Sequence, residues 1–458
     1  GAAESSVTQV FSRAVECPAP AAEVFAWHER PGAFQRLMPP WDPVEIVQAP
    51  PDLHDGSRGV LRVRLGGLPV TWQVEHRDYV PGVSFRDVQL RGPFAAWAHT
   101  HRVTPLDARR STLHDRIEYR LPFGALGQWL GGGMVRRKLA RLFDHRHRLM
   151  NDDLRAHTGL PKLNIAVGGA GGLIGGALLP FLTTGGHTVR RLVRRAPRDV
   201  NEVRWQAPDH LDAAGLEGLD AVIHLAGEPI LGRWTPAKKE VIRSSRVEGT
   251  RQLCEALAGL KDKPRTLLSA SAIGIYGDRG DEVVDENSAP GTDFLGEVCA
   301  AWEAACAPAR DAGIRVVNLR IGVVLSAQGG ALAKMRPAFA MGAGGPIGPG
   351  TQWMSWIALD DVLGAIAHCL AHSSIEGPIN LVAPRAVTNR DFARTLGHVL
   401  HRPSFLPAPS FALRALFGEA ADAVLLAGQR VRPKVLEETG YAFRHADLEG
   451  ALRAELGR

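Results

Sequence analysis

Cysteine is scarce in this chain and nowhere paired. Five are spread over 458 residues, Cys17, Cys254, Cys299, Cys306 and Cys369, and no two form a Cys-x-x-Cys pair. An odd, dispersed set argues against a disulfide scaffold or a cysteine-built zinc site, and it fits a reducing, cytoplasmic compartment. No uninterrupted apolar run approaches the ~20 residues of a membrane-spanning helix. Gly1 to Val10 has no basic segment followed by an apolar one, so no secretory signal is expected. The excess of basic over acidic residues is only +6, and no run of Lys and Arg concentrates it, so nucleic acid is not an expected partner. What remains is an ordinary globular composition, 45% hydrophobic and 22% charged, in a chain long enough for two or three domains.

One stretch organises the rest. Ile165 to Val167 is a short apolar run, as for a buried parallel strand. Gly169, Gly172 and Gly175 follow in a Gly-x-x-Gly-x-x-Gly pattern. Ala177 to Leu182 then reads as a helix and Thr188 to Val193 as a second strand. Strand, glycine turn, helix and strand make a right-handed crossover unit. The glycines let the backbone approach a pyrophosphate at the helix N-terminus, so a dinucleotide is the expected ligand. A carboxylate at the end of the second strand would favour NAD. Here Arg194 and Arg195 stand there instead, which favours a 2′-phosphate and hence NADP(H); the alternative is a pair of surface arginines.

The first 158 residues have another character. Val7 to Val15 reads as a strand and Ala21 to Trp27 as a short helix after Pro20. Val70, Trp72, Val74 and His76 alternate with Thr71, Gln73 and Glu75, and Leu113, Asp115, Ile117, Tyr119 and Leu121 with polar neighbours. Such alternation predicts an antiparallel sheet covered on one side. The cover is expected at Met134 to Leu154, with Val135, Leu139, Leu142, Leu149 and Met150 as its apolar stripe. The basic residues Arg136, Arg137, Lys138, Arg141, Arg146 and Arg148 read as its solvated face. Asp115 is anomalous on an apolar face: it is either a pocket acid with a raised pKa or an acid satisfied by backbone donors or an arginine. His99 and His101 share a strand face, but no Asp or Glu stands near them in sequence at ligand spacing, so no metal is expected.

Helix, long antiparallel sheet and closing helix resemble the START-like (SRPBCC) helix-grip fold, through Ala21–Trp27, Pro39-Pro40-Trp41, Gly92 to Trp97 and Asp115 to Tyr119. The resemblance implies a domain over residues 1–158 that holds an apolar ligand between sheet and helix. Thr158-Gly159-Leu160-Pro161 is a natural boundary. Beyond it, Leu219 to Gly227, Thr266 to Gly277 and Val316 to Leu325 read as further strands and Lys238 to Leu257 as a helix. His224 to Pro229, Ser245 to Thr250, Ser269 to Gly277, Leu319 to Leu325 and Trp353 to Asp361 are similar to the extended short-chain dehydrogenase/reductases. Together they resemble the divergent epimerase-like branch of SDR39U1-like and SulA-like proteins, which often carries a START-like domain in front and a small DUF1731-type domain behind.

The expected architecture is therefore an α/β Rossmann domain with a doubly wound parallel sheet over 162–404, preceded by the α+β helix-grip domain and closed by a small helical domain over 405–458. The resemblance implies that Gly169, Gly172, Leu173, Ile174 and Gly175 hold the pyrophosphate and that Arg194 and Arg195 take the adenosine phosphate. Leu225, Ala226 and Gly227 would flank the adenosine ribose and pyrophosphate. Arg246 stands where many relatives have Asn, and Val323 and Val324 lie near the nicotinamide amide.

The catalytic part departs from the pattern. These enzymes use a Tyr-x-x-x-Lys pair on a helix, with a serine on the preceding strand. Ser271 fits the serine. The helix is Phe294 to Glu303, and aligning Glu303 puts Leu295 at the tyrosine and Cys299 at the lysine. Tyr276 is the substitute acid or, alternatively, a packing residue, and Cys299 either faces the nicotinamide or is buried and inert. Gly342 to Gly350 is a lid over the substrate side or a long surface connection. Two readings follow. One is an NADP(H)-dependent oxidoreductase or epimerase acting on a small-molecule substrate, with Ser271 and Tyr276 as catalytic residues. The other is a non-catalytic NADP(H)-binding protein whose N-terminal domain senses an apolar ligand.

Overall fold

A computed structural model describes residues 8–225 and 230–458. Residues up to Thr158 form one compact unit, and nearly all from Gly159 onward form a second.

In the first unit the alternating segments become seven antiparallel strands: β1 (Gln9–Cys17), β2 (Glu45–Gln48), β3 (Arg58–Leu65), β4 (Leu68–Val80), β5 (Ser84–Arg91), β6 (Ala96–Pro105) and β7 (Ser111–Arg120). Their spatial order is β1-β7-β6-β5-β4-β3-β2. Two short helices, α1 (Ala21–Glu29) and α2 (Ala33–Leu37), fill the first crossover. The long helix α3 (Gly124–His157) packs Leu139 and Phe143 against Phe11, Ile117 and Tyr119. Further along it sets Leu149, Met150 and Leu154 against Val103 and Leu113. The helix begins ten residues earlier than the apolar periodicity suggests, because Gly131, Gly132 and Gly133 interrupt the pattern and are poor helix formers. Arg136, Arg137, Lys138, Arg141 and Arg148 are solvent-exposed as expected. Arg146 is the exception, half-buried with its guanidinium over the Phe143 ring.

Asp115 differs from both expectations. It is buried and takes its hydrogen bonds from histidines, His99 at 2.8 Å and His147 at 2.6 Å, with His101 Nδ1 at 2.9 Å. Burial alone would raise its pKa, but these three partners outweigh it and hold the carboxyl well below the usual range. His99 and His101 are themselves buried.

The second unit is built on an eight-stranded sheet. Its strands are β8 (Asn164–Gly168), β9 (Thr188–Val193), β10 (Glu202–Gln206), β11 (His210–Leu211), β12 (Ala221–His224), β13 (Thr266–Ala272), β15 (Arg315–Ile321) and β19 (Gly377–Leu381), in the order β11-β10-β9-β8-β12-β13-β15-β19. All neighbours are parallel except β10 and β11. Shorter strands β14 (Val283–Val284), β16 (Val323–Leu325), β17 (Trp353–Met354) and β18 (Trp356–Ala358) stand outside it, and β16 pairs with β18. The expected strand over Val316–Leu325 is thus two strands broken at Gly322. A Cβ there would lie 2.6 Å from the Ser355 carbonyl, so the chain bends where only glycine fits. The helices that matter for the site are α4 (Leu173–Thr184), α5 (Pro236–Ala258) and α6 (Phe294–Ala304).

The segment from residue 405 onward does not form a core of its own. Leu448, Leu452 and Leu456 share one apolar cluster with Leu325, Leu332, Trp356 and Phe392. All five cysteines are buried and free. No described helix is long and apolar enough to cross a membrane.

A buried ion pair joins α2 to α3 in the first unit. Arg36 grips both oxygens of Asp153, at 2.7 and 3.0 Å, with side chains 7% and 0% exposed. Asp153→Ala removes both of these hydrogen bonds from a buried guanidinium and is expected to lower stability by about 3–5 kcal/mol, read from the urea midpoint of the full chain.

Candidate functional site

Strand order in the eight-stranded sheet reverses between β8 and β12, and the crevice beyond their carboxyl ends is where such sheets take ligands. The two ends are tied by the Leu225 N–H, which donates to the Gly168 carbonyl at 2.9 Å. Between β8 and α4 the chain turns through Gly169, with φ at +82°, a conformation that disfavours any residue with a Cβ. The Gly172 N–H closes the turn onto the Gly169 carbonyl at 3.1 Å. A Cβ on Gly175 would stand 2.1 Å from that same carbonyl, so glycine is needed for helix and turn to meet. Gly171 is exposed and a Cβ there meets nothing within 4 Å, which leaves open space in front of the turn. Leu173 and Ile174 open α4, and the first N–H groups of a helix have no intrahelical acceptor. An anionic pyrophosphate fits this cradle.

Arg194 and Arg195 differ from each other in the structure. Arg195 grips both oxygens of Glu202, at 2.6 and 2.8 Å, while Arg191 reaches the same carboxylate at 2.9 Å. Arg195 is therefore committed to holding the loop after β9 to β10. Its hydrogen bonds, with one from the Arg198 N–H, hold Glu202 down at about 2. Arg194 is solvent-exposed. Ala226 and Gly227 fall outside the described residues. Arg246 is half-buried on α5, donates to the Ile242 carbonyl and lies over the Trp302 ring. Val323 and Val324 are half-buried on β16.

The candidate catalytic residues sit in one buried hydrogen-bonded chain. Ser271, Arg320 and Asn380 are register neighbours on β13, β15 and β19. Leu295, Cys299 and Glu303 recur every four residues on α6 and so share a face. Ser271 Oγ donates to Glu303 at 2.6 Å. Arg320 holds both oxygens of Glu303 at 3.0 Å and also donates to the Tyr276 hydroxyl at 3.0 Å. That hydroxyl in turn donates to Asn380 at 2.7 Å. Tyr276 is wholly buried, on a 3-10 turn (Ile273–Tyr276) past the end of β13 rather than on the strand. With its oxygen engaged on both sides and its pKa raised by burial, it has the environment of a packing residue. Cys299 is buried and its thiol is pushed up to about 12 by burial, so it carries no thiolate at neutral pH.

Sequence reasoning used Glu303 only as an alignment marker and passed over Arg320 and Asn380. A cation near the end of a buried, mostly apolar strand was the available signal for Arg320. The loop read as a lid is pinned: Ile347 N–H donates to Asn389 at 2.6 Å, and Gly348 N–H to the Ala408 carbonyl at 2.7 Å. Trp353 is held by Asp281, and Trp356 is core.

A doubly wound sheet with this turn at its switch point defines a dinucleotide-binding protein of the extended short-chain dehydrogenase/reductase class. Comparison with known proteins narrows the class. Residues 165–382 match the NAD dependent epimerase/dehydratase family, residues 8–151 the polyketide cyclase/dehydrase and lipid transport family, and residues 408–455 the domain of unknown function DUF1731. The epimerase family protein Mb2239 of Mycobacterium bovis is 44% identical over 290 residues, 63% of this chain and 96% of its own length. The structure of human epimerase family protein SDR39U1 (isoform 2) with NADPH superposes with a TM-score of 0.61 at 35% identity, covering 64% of this chain and 99% of that one. A nucleoside-diphosphate sugar epimerase from Corynebacterium glutamicum superposes with a TM-score of 0.80 at 34% identity, covering 98% and 90%. The chain belongs to the epimerase family that includes SDR39U1, and it is an NAD(P)-binding epimerase/oxidoreductase-type protein.

Two glycine variants separate folding from binding at the turn. Gly175→Ala is expected to cost about 1–3 kcal/mol by overpacking and to abolish NADPH binding. Gly171→Ala is expected to keep the melting temperature and weaken NADPH binding alone. Thermal unfolding and NADPH fluorescence titration read the two effects.

Proposed function

We propose that the protein binds NADP(H) in preference to NAD(H) and uses it in an oxidoreductase or epimerase reaction on a small-molecule substrate. The observation that carries the reading is the glycine cradle at the β8/β12 switch point, with arginines and no carboxylate at the end of β9. The backbone of Gly169, Gly172, Leu173, Ile174 and Gly175 holds the pyrophosphate. Arg194 takes the 2′-phosphate, and Arg195 positions the loop through Glu202. Leu225 flanks the adenosine ribose, with Arg246, Val323 and Val324 toward the nicotinamide. When bound, NADP(H) supplies the hydride donor or acceptor.

Ser271 handles the substrate oxygen. Its own proton is committed to Glu303, so its lone pairs are left to accept from a substrate hydroxyl. Glu303, held on both oxygens by Arg320, is the group that takes up the proton through Ser271. The relative from C. glutamicum makes nucleoside-diphosphate sugars the first substrate class to assay. A second reading, NADP(H) binding without turnover, is favoured by Leu295 and Cys299 at the Tyr and Lys positions and by the sealed Tyr276. The N-terminal domain, in either case, is the binder of an apolar ligand.

Calorimetric titration is expected to show NADPH binding at least about tenfold tighter than NADH, about 1.4 kcal/mol, with the preference lost in Arg194→Ala. Equal affinity for the two would refute the NADP(H) assignment. Under the catalytic reading, Ser271→Ala and Glu303→Gln each lower kcat at least about a hundredfold with NADPH affinity unchanged. Binding with neither net cofactor oxidation or reduction nor epimer formation across the sugar panel leaves the second reading standing.

A further inference from the structure

We propose that the N-terminal domain carries a divalent transition-metal site made by Asp87, His99 and His101. The three belong to two cross-strand rows on one face of the sheet. His76, Asp87, His99 and Ile117 are register partners across β4, β5, β6 and β7. Phe85, His101 and Asp115 form the next row, two residues along. Residues two apart in a strand share a face, so the pleat alone gathers three histidines and two carboxylates. Asp87, His99 and His101 each present one ligand atom within 4.8 Å of the others.

The donor chemistry selects the ion. Two imidazoles and a carboxylate suit zinc, iron, nickel or copper, whereas magnesium and calcium prefer all-oxygen sets. Three protein ligands also leave a coordination position open. Around the set stands the outer layer that such sites need. His101 points Nε2 at Asp87 Oδ2, 3.0 Å away, and Nδ1 at Asp115 Oδ1, 2.9 Å away. A ring so held donates to Asp115 while its other nitrogen faces the ion, the carboxylate–histidine–metal arrangement. His99 and His147 brace the same carboxylate at 2.8 and 2.6 Å. Two carboxylates balance a dication in a region that also contains the buried histidine His28 and the half-buried Arg146.

An independent observation comes from His76. Its side chain is 7% exposed, and its Nδ1 lies 2.6 Å from Asp87 Oδ1. Its other ring nitrogen, Nε2, is buried and makes no hydrogen bond among the described residues, so this ring has a nitrogen to spare beside Asp87. Asp87 is also the way in, because its side chain is 22% exposed while His99, His101 and Asp115 are each below 10%. The open position gives an oxygen of a ligand held by this domain something to bind.

The rival is a metal-free cluster in which His101 is an imidazolium shared by two carboxylates. Metal binding decides between them. The untagged full chain, stripped with chelator, is titrated with Zn(II) against a chromophoric competitor and with Co(II) while its visible absorption is followed. The expected result is one equivalent per chain. Asp87→Asn, close in shape to the native side chain, and His101→Ala should weaken binding at least a hundredfold, and Asp115→Asn about 10–100-fold as an outer partner. His114→Ala, an exposed histidine of the same sheet, should bind as wild type. NADPH binding and far-UV circular dichroism report whether each variant is folded. Absence of stoichiometric metal in the wild type overturns the proposal, as does unchanged affinity in folded Asp87→Asn.

Discussion

The meeting of Gly175 with the Gly169 carbonyl is the constraint on which the dinucleotide end of the molecule depends. A side chain at residue 175 would sit 2.1 Å from that oxygen, so helix α4 reaches its place only because nothing projects there. Its position fixes where its unpaired N–H groups point, at the ends of β8 and β12. The Leu225–Gly168 hydrogen bond holds those two strand ends together. The shape of this cradle is thus a consequence of backbone geometry more than of any one side chain.

What surrounds that crevice is less typical. Where the resemblance to short-chain dehydrogenase/reductases implies a tyrosine and a lysine on α6, this chain has Leu295 and Cys299, both buried. The polar groups stand one helical turn along, at Glu303, and in the sheet, at Arg320. The result is a continuous chain from Ser271 through Glu303 and Arg320 to Tyr276 and Asn380. Such a network is stable only when every member is satisfied, which explains why Tyr276 is bound on two sides. It also leaves the Ser271 oxygen with lone pairs for another group.

The N-terminal unit inverts the usual division of an antiparallel sheet covered on one side. Its enclosed face is apolar toward Phe11, Ile117 and Tyr119, but its middle carries His76, Asp87, His99, His101 and Asp115. Burying that many polar groups is unfavourable unless they are paired. Most are, through Asp115 and Asp87. The family match to polyketide cyclase/dehydrase and lipid transport concerns this same unit.

Local pattern was enough for much of this. Glycine spacing after an apolar run located the glycine turn between β8 and α4, because a tight turn, a helix N-terminus and a parallel strand each leave a mark within ~30 residues. Alternation located the N-terminal sheet, and the missing Tyr-x-x-x-Lys was visible for the same reason. The sequence also showed that Asp115 did not belong on an apolar face. It did not show that His99 and His147 stand beside it, since those partners are 16 and 32 residues away in sequence and meet it only across strands and on a helix packed over them. Likewise Arg194 and Arg195 look equivalent as neighbours, and only the fold of β10 onto β9 assigns one of them to Glu202. Periodicity within a segment is a one-dimensional property and can be read from residue order. Which carboxylate pairs with which cation or histidine depends on strand register and on the closing of distant segments, and the tertiary structure alone decides it.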